Sequence, residues 1–176
     1  MRVILFILVL GSLASCSSNL RPFTQRLYDE FNWTDKEIQN IQFYVSDDIR
    51  LWRDAGKEET VIQNGKVRIV DGREVEEVII KKGTPGVVLF SPKENRFAVS
   101  FNENDDSYLM FGPNEKANDR YVLLAKEWRK RLGKVTYNGR LYETDSNSAY
   151  ATLLLDIKAA RKMKYNSSVA GGRRVN

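Results

Sequence analysis

The chain has 176 residues, a formal net charge of +5, no histidine and one cysteine. Without histidine, Ser-His-Asp and Cys-His catalytic centres and nearly every zinc-enzyme ligand set are excluded. The composition leaves three alternatives: catalysis by a pair of carboxylates, catalysis by a Ser/Lys dyad, or no catalysis. After removal of a leader, about 160 residues remain, a length that suits one domain with its own core.

The N-terminus has the three parts of a secretory signal. Arg2 supplies a basic start, residues 3–10 form an apolar run, and residues 11–15 are mostly small and lead to Cys16. The apolar run is too short to span a bilayer as a helix, which takes about 20 residues. We therefore expect export, with residues 1–15 removed.

The residues at the cleavage point, Leu13-Ala14-Ser15-Cys16, resemble the lipobox of bacterial lipoprotein precursors. The resemblance implies cleavage between Ser15 and Cys16, a diacylglyceryl thioether on Cys16 and a further acyl chain on its amine. Each buried methylene contributes roughly 0.8 kcal/mol, so such an anchor is almost irreversible. Because Cys16 is the sole cysteine, it has no disulfide partner within the chain, which favours the lipid over an ordinary signal with an incidental cysteine.

The segment after Cys16 predicts where the anchored chain is retained. No aspartate follows Cys16, and residues 17–22 include no acidic residue. In the better-known sorting systems the first feature favours the outer membrane, and surface-exposed Bacteroidota lipoproteins usually carry an acidic cluster here. We expect the periplasmic face of the outer membrane, with the covalent lipid as the only cofactor and no nucleic-acid partner.

The mature chain is predicted to have three parts. Residues 16–33 are assigned to a lipidated tether, residues 34–165 to a single β-rich domain, and residues 166–176 to a basic flexible tail. Thr34 and Glu37 form a capping-box pattern, which predicts a short helix through Ile38 or slightly beyond.

Beyond this helix the apolar residues alternate, and turn dipeptides recur at short spacing. Asn64-Gly65 and Asn138-Gly139 are strong hairpin signals. The expected fold is mainly β, a small sandwich or open barrel of about eight to ten antiparallel strands with one short N-terminal helix. The strands are predicted at residues 42–45, 49–53, 60–63, 66–70, 75–81, 87–90, 96–101, 108–111, 121–125, 134–137 and 140–144.

Two segments have less distinct patterns. Residues 126–132 fit a helical turn on a connecting loop, closed by Gly133. Residues 150–164 fit either a strand or a helix, and we favour a long strand. A weak repeat also relates residues 65–76 to residues 133–143, which two equivalent hairpins or chance would produce.

Aromatic and basic side chains supply the candidate binding surface, because binding surfaces favour both kinds of residue. Trp52 is expected to face opposite to Arg50 and Arg53. Basic residues also accumulate after Asp156, as a solvated terminus or as a contact for phosphate-bearing headgroups or an acidic partner. The surface is assigned to Trp52, Arg50, Arg53, Trp128, Lys158, Arg161, Lys162 and Lys164.

Acidic residues give weaker candidates. Residues 102–106 cluster oxygen ligands, but they lack the glycine and terminal glutamate of an EF-hand and better fit a solvated hairpin tip, so no metal site is expected. Turn chemistry explains Asp47 and Asp48. A carboxylate-dependent hydrolase would need two of these side chains to converge in one cleft: Asp47, Asp48, Asp54, Glu103, Asp105 and Asp106.

Three segments, IQFYVSDDIRLWRD, KKGTPGVVLFSPKENRFAVSF and RYVLLAKEW, resemble a group of small Bacteroidota lipoproteins that carries no assigned activity. The resemblance runs from about Leu20 to the C-terminal GGRRVN and implies the same localisation. The expected function is that of a non-catalytic accessory or scaffold protein, lipid-anchored and bound to another envelope protein. The alternatives are a β-barrel module that binds a small ligand, glycan or lipid, and the carboxylate-dependent hydrolase.

Overall fold

The computed structural model describes residues 19–54, 66–70, 73–103 and 107–166. Predictions that concern Cys16, the Asn64-Gly65 turn, Asp105, Asp106 and the tail from residue 167 lie outside these residues. The described strands are β1 Leu20–Pro22, β2 Phe43–Val45, β3 Ile49–Asp54, β4 Lys66–Val70, β5 Arg73–Ile80, β6 Pro85–Lys93, β7 Arg96–Ser100, β8 Tyr108–Asn114, β9 Arg120–Leu123, β10 Glu127–Arg129, β11 Leu132–Tyr137, β12 Arg140–Asp145 and β13 Leu153–Asp156. The described helices are α1 Gln25–Phe31, α2 Asp35–Gln39 and α3 Ile157–Asn166, with 3-10 turns at Glu115–Ala117 and Ser148–Tyr150.

The mainly β fold class is confirmed, with all strands in two antiparallel sheets. The described strands number thirteen, against the eight to ten expected, and the three-residue strands β1 and β10 were among those not predicted. Among the described residues, the structure has two helices, α1 and α3, in addition to the predicted helix α2.

The seven-stranded sheet has the order β1-β13-β2-β6-β7-β8-β9. Its two edges approach each other, since the Tyr121 N–H donates to the Phe23 carbonyl at 3.0 Å and the Leu123 N–H donates to the Ala151 carbonyl at 3.3 Å. The sheet is therefore strongly curled. In the described part of the chain this closure consists of isolated bridges, and the sheet is not a closed barrel.

The six-stranded sheet has the order β10-β11-β12-β3-β5-β4. The hairpins β11–β12 and β4–β5 lie on either side of β3, and these hairpins contain the two segments of the weak repeat. The turn at residues 46–48 joins β2 to β3 and thereby connects the two sheets.

Residues assigned to the tether belong to the fold. Phe23 is fully buried, and its ring lies 4.4 Å from that of Tyr121 and 5.1 Å from that of Phe43. Phe31 and Trp33 are buried as well, with stacked rings 4.5 Å apart. The structure corrects the predicted boundary at residue 33, because the aromatic cluster packs into the core and β1 pairs with β13.

The predicted helix at the capping box is confirmed as α2. The Glu37 N–H donates to the Thr34 Oγ1 at 3.3 Å, and the Thr34 N–H donates to the Glu37 Oε2 at 2.8 Å. The unpredicted α1 begins in the same way, because the Leu27 N–H donates to the Thr24 Oγ1 at 3.2 Å.

The helical turn predicted at residues 126–132 is wrong. This segment forms β10 and the start of β11, joined at Lys130, which has a positive φ of 55°. A Cβ at Gly133 would lie 2.7 Å from the Trp128 ring, so the glycine admits the aromatic side chain across the strand pair. Gly133 thus serves a close approach within a sheet.

The long strand favoured at residues 150–164 is also wrong in its second half. Strand β13 ends at Asp156, whose Oδ1 accepts the N–H of Lys158 at 2.8 Å and of Ala159 at 3.2 Å. Asp156 therefore caps α3 at its start, in the way that favours helix initiation. Among the described residues, none of the helices is long and apolar enough to cross a bilayer.

Candidate binding surface

Strand β3 presents its side chains alternately to the core and to solvent. Ile49 and Leu51 are fully buried, whereas Arg50 is exposed and Trp52 is partly exposed on the opposite face. Arg53 shares the inner face with Leu51, and its side chain is only 18% exposed. The prediction that Trp52 faces away from both arginines is wrong for Arg50, because residues two apart in a strand share a face.

One row of side chains crosses five strands of the six-stranded sheet on its outer face. The register pairs Glu127 with Lys134, Lys134 with Glu143, Glu143 with Trp52, and Trp52 with Glu77. Residues directly opposite each other in antiparallel strands interact most strongly. The row therefore alternates in charge on one side of Trp52.

Trp52 is held in place by this row. Its Nε1–H donates to the Glu143 Oε2 at 3.2 Å. At the outer end, Lys134 Nζ lies 3.1 Å from the Glu127 Oε1 and Arg129 lies 3.4 Å from the other oxygen. The hydrogen bond from Lys134 and the charge of Arg129 lower the pKa of Glu127, so this carboxylate stays ionised.

Apolar side chains flank Trp52 along the diagonal of the sheet. Ile79 follows Glu77 by two residues and is 37% exposed, and Leu141 precedes Glu143 by two residues and is 50% exposed. Diagonal neighbours in a sheet lie about 7–8 Å apart, within reach of an aromatic ring. We call this surface the Trp52 face, and it comprises Arg50, Trp52, Glu77, Ile79, Lys134, Leu141 and Glu143.

Beneath the Trp52 face lies a buried ionic cluster. Glu76 is 3% exposed, and its Oε2 lies 2.6 Å from the Arg53 Nε and 3.8 Å from Arg140. The Tyr142 hydroxyl donates to the Glu76 Oε1 at 2.9 Å. Burial, together with the bond to Glu76, raises the pKa of Tyr142 to about 12. Arg53 thus neutralises the buried carboxylate of Glu76. Arg53 therefore does not belong to the exposed surface to which it was assigned from the sequence.

The other predicted surface residues lie elsewhere. Trp128 pairs with Gly133, so it lies on the opposite face of the sheet from Lys134, at the β10 edge, where it is 41% exposed. Lys158, Arg161 and Lys162 are exposed on α3, which follows the seven-stranded sheet. Lys164 belongs to the same helix, and its side chain is outside the described residues.

A cleft of about 400 Å³ opens between the two sheets. Its lining is mostly apolar and contains two aromatic rings, Phe90 and Tyr108, which meet edge to face at 5.1 Å. Arg96 and Lys126 also line it. The size is within the range of small-molecule sites.

Acidic side chains line a different cleft of about 640 Å³. Asp47, Asp48 and Asp145 lie there with Arg50, whereas Asp54 and Glu103 are not part of its lining. The Asp48 Oδ2 accepts a hydrogen bond from Lys81 at 2.9 Å, and this bond lowers the pKa of Asp48. A glycosidase acid needs a raised pKa, so the Asp48 environment favours a turn-stabilising role.

Asp145, the third carboxylate of that cleft, is hydrogen-bonded by Ser148. The backbone N–H and the hydroxyl of Ser148 donate to the Asp145 Oδ1 at 2.8 and 2.9 Å. Within the described residues, no group of three or more acidic or cysteine side chains is arranged to hold a metal ion. The acidic segment at residues 102–106 falls partly outside those residues.

The sequence signal for the missed surface residues is a run of apolar residues in one strand. Val78, Ile79 and Ile80 are consecutive in β5, so strand alternation must send at least one of them outward. Leu141 gives no such signal, because it stands between Arg140 and Tyr142 and its face depends on which neighbour is buried.

Fold and surface together define a two-sheet β protein with one exposed, partly apolar sheet face. No protein-family model, curated protein or solved structure matches the chain. The resemblance to Bacteroidota lipoproteins therefore stays a prediction.

Proposed function

We propose that the chain is a lipid-anchored protein on the periplasmic face of the outer membrane, a non-catalytic accessory subunit that binds another envelope protein through the Trp52 face. The observation that carries the proposal is the diagonal of apolar side chains formed by the exposed Ile79 and Leu141 and the partly exposed Trp52, on a sheet whose opposite face is buried. The lipobox pattern at Cys16 supports the anchor.

A protein partner fits this face better than a polyanion does. Side chains of both signs surround Trp52: Glu143 and Glu77 are its cross-strand partners, and Lys134 and Arg50 lie next to them on the same face. Nucleic acid or an anionic lipid surface would meet repulsion from the two glutamates, whereas a protein surface can place opposite charges against each sign. Aromatic and apolar residues surrounded by polar ones are the usual composition of a protein interface.

The test removes the two aliphatic side chains of the apolar diagonal, keeps Trp52 and leaves the core residues unchanged. In the variant Ile79→Ser/Leu141→Ser, both substituted side chains are exposed, so we expect the thermal midpoint to change little. The protein is extracted from native membranes in a gentle detergent, and co-purified proteins are quantified by mass spectrometry. We expect recovery of at least one envelope protein to fall about tenfold or more, as for the central residues of an interface.

The matched control is Val87→Ser, which shortens a valine of 40% exposure on the seven-stranded sheet. Recovery of the same partner should be unchanged in this variant. Equal recovery of every co-purified protein from the native chain, the double variant and the control would contradict the proposed role of the Trp52 face.

A further inference from the structure

The start of the described fold lies beside the start of α3. In the β1–β13 pair, Leu20 is opposite Asp156, and α3 begins at the next residue, Ile157. Because the strands are antiparallel, the chain that precedes Leu20 leaves the sheet at the end where α3 begins. Cys16 precedes Leu20 by four residues, a separation of at most about 14 Å in a fully extended chain.

Helix α3 has one buried and one cationic side. Ala160 is 1% exposed, and Ile157 and Met163 pack against the core. The exposed residues Arg161 and Lys162 follow Lys158 by three and four positions, so each lies one turn further along the same side of the helix as Lys158, and the three form a basic stripe.

The charge of this stripe is uncompensated. Within the described residues, none of its three side chains forms an ion pair, and the nearby Asp156 carboxylate is occupied by backbone N–H groups of the helix. Arg21, on the adjacent strand β1, is also exposed. Apart from Asp156, which caps the helix, the charged residues described at this edge are positive, unlike those of the Trp52 face.

We infer that the outer side of α3 lies on the anionic phospholipid surface that holds the acyl anchor. The inference rests on the proposed anchor for its geometry, because a lipid on Cys16 would hold the start of α3 next to the headgroups. A basic patch beside an acyl chain is a common pair of membrane-binding signals. Each basic residue near an anionic surface strengthens binding roughly fivefold.

The experiment separates the helix from the anchor. All described elements lie after Ser17, so the chain from Ser17 to Asn176 keeps the whole described fold and lacks the acylated cysteine. Its binding to vesicles of phosphatidylglycerol and phosphatidylethanolamine is measured by co-sedimentation at low salt. Lys158→Gln/Arg161→Gln/Lys162→Gln should weaken binding by roughly a hundredfold, and vesicles of phosphatidylcholine should bind neither protein.

The matched control is Lys116→Gln/Lys130→Gln/Arg131→Gln, which removes the same charge from exposed positions away from α3. It should bind nearly as well as the unchanged chain. Equal weakening in both triple variants would overturn the inference, since binding would then follow net charge alone. So would unchanged vesicle binding combined with loss of a co-purified acidic protein, which would assign the stripe to a protein partner.

The intact mass of the native membrane protein is measured alongside. Missing acyl mass with α3-dependent vesicle binding would remove the anchor and leave the helix contact standing. If the acyl mass is present and the α3 variant binds vesicles as well as the unchanged chain, the anchor stands and the helix contact is overturned.

Discussion

Glu76 carries a carboxylate that is almost entirely removed from water, and three side chains from other parts of the chain stabilise it. Arg53, Tyr142 and Arg140 lie on neighbouring strands of the same sheet. Sequence alone placed Arg53 at the surface, since an arginine beside a tryptophan is typical of binding sites. The pairing with Glu76 depends on the register of β3 with β5, which no local pattern of residues specifies.

Tyr142→Phe should lower the free energy of unfolding by about 1.5–3 kcal/mol, the usual contribution of a hydrogen bond to a charged group. Urea unfolding at pH 7 measures the change. Tyr150→Phe is the control, because Tyr150 is 72% exposed and its hydroxyl should contribute little. Equal midpoints for the native chain and Tyr142→Phe would show that Arg53 and Arg140 satisfy Glu76 without the phenol.

The same variant predicts a pH dependence. Because the pKa of Tyr142 is raised from 10 to about 12 in the folded state, its protonated form stabilises the fold fully below pH 10. That stabilisation is lost as the pH rises from 10 towards 12, since the unfolded state releases the proton first. The stability difference between the native chain and Tyr142→Phe should therefore shrink over this interval.

At the level of elements, the sequence correctly predicted a helix and a hairpin that depend on interactions between neighbouring residues. The capping box at Thr34 and the hairpin at Asn138-Gly139 are confirmed because each depends on neighbouring residues alone. The segments at residues 126–132 and 150–164 failed for different reasons. In the first, Trp128 packs across a strand pair onto Gly133, and in the second Asp156 divides an apolar pattern into a strand and a helix.

Gly139→Ala should destabilise the protein by about 1–2 kcal/mol, the cost of a left-handed conformation for a residue with a Cβ. Gly139 has φ of 69°, and an added Cβ would meet nothing within 4 Å, so the cost is conformational. Thermal or urea unfolding measures it. Gly139→Asn should cost less, because asparagine tolerates this region, and an equal loss for both would contradict the explanation.

At the level of the whole molecule, the fold begins earlier than the sequence pattern indicated. Phe23, Phe31 and Trp33 precede the predicted domain, yet their rings lie in the core. The local sequence gives no evidence of what these aromatic residues contact, so residues 16–33 were assigned to a tether. The ring partners of Phe23 include Tyr121 and Phe97, which come from strands far along the chain.

A chain that begins at Thr34 should not fold. It lacks β1, α1 and three buried aromatic side chains, each of which contributes about 3–5 kcal/mol to stability, against a total of about 5–15 kcal/mol for a typical domain. Circular dichroism should show no cooperative thermal transition. The chain from Ser17 to Asn176 is the control and should unfold cooperatively, and a cooperative transition in both would restore the tether to residues 16–33.

The curling of the seven-stranded sheet also bears on self-association. Exposed strand edges are templates for addition of further chains, and in the described residues the β9 edge of this sheet is occupied by the bonds of Tyr121 to Phe23 and Leu123 to Ala151. At one end of the other sheet, β10 has only three residues and is followed by Lys130 and Arg131. A short edge next to two cations discourages edge-to-edge stacking of further copies at this end of the sheet.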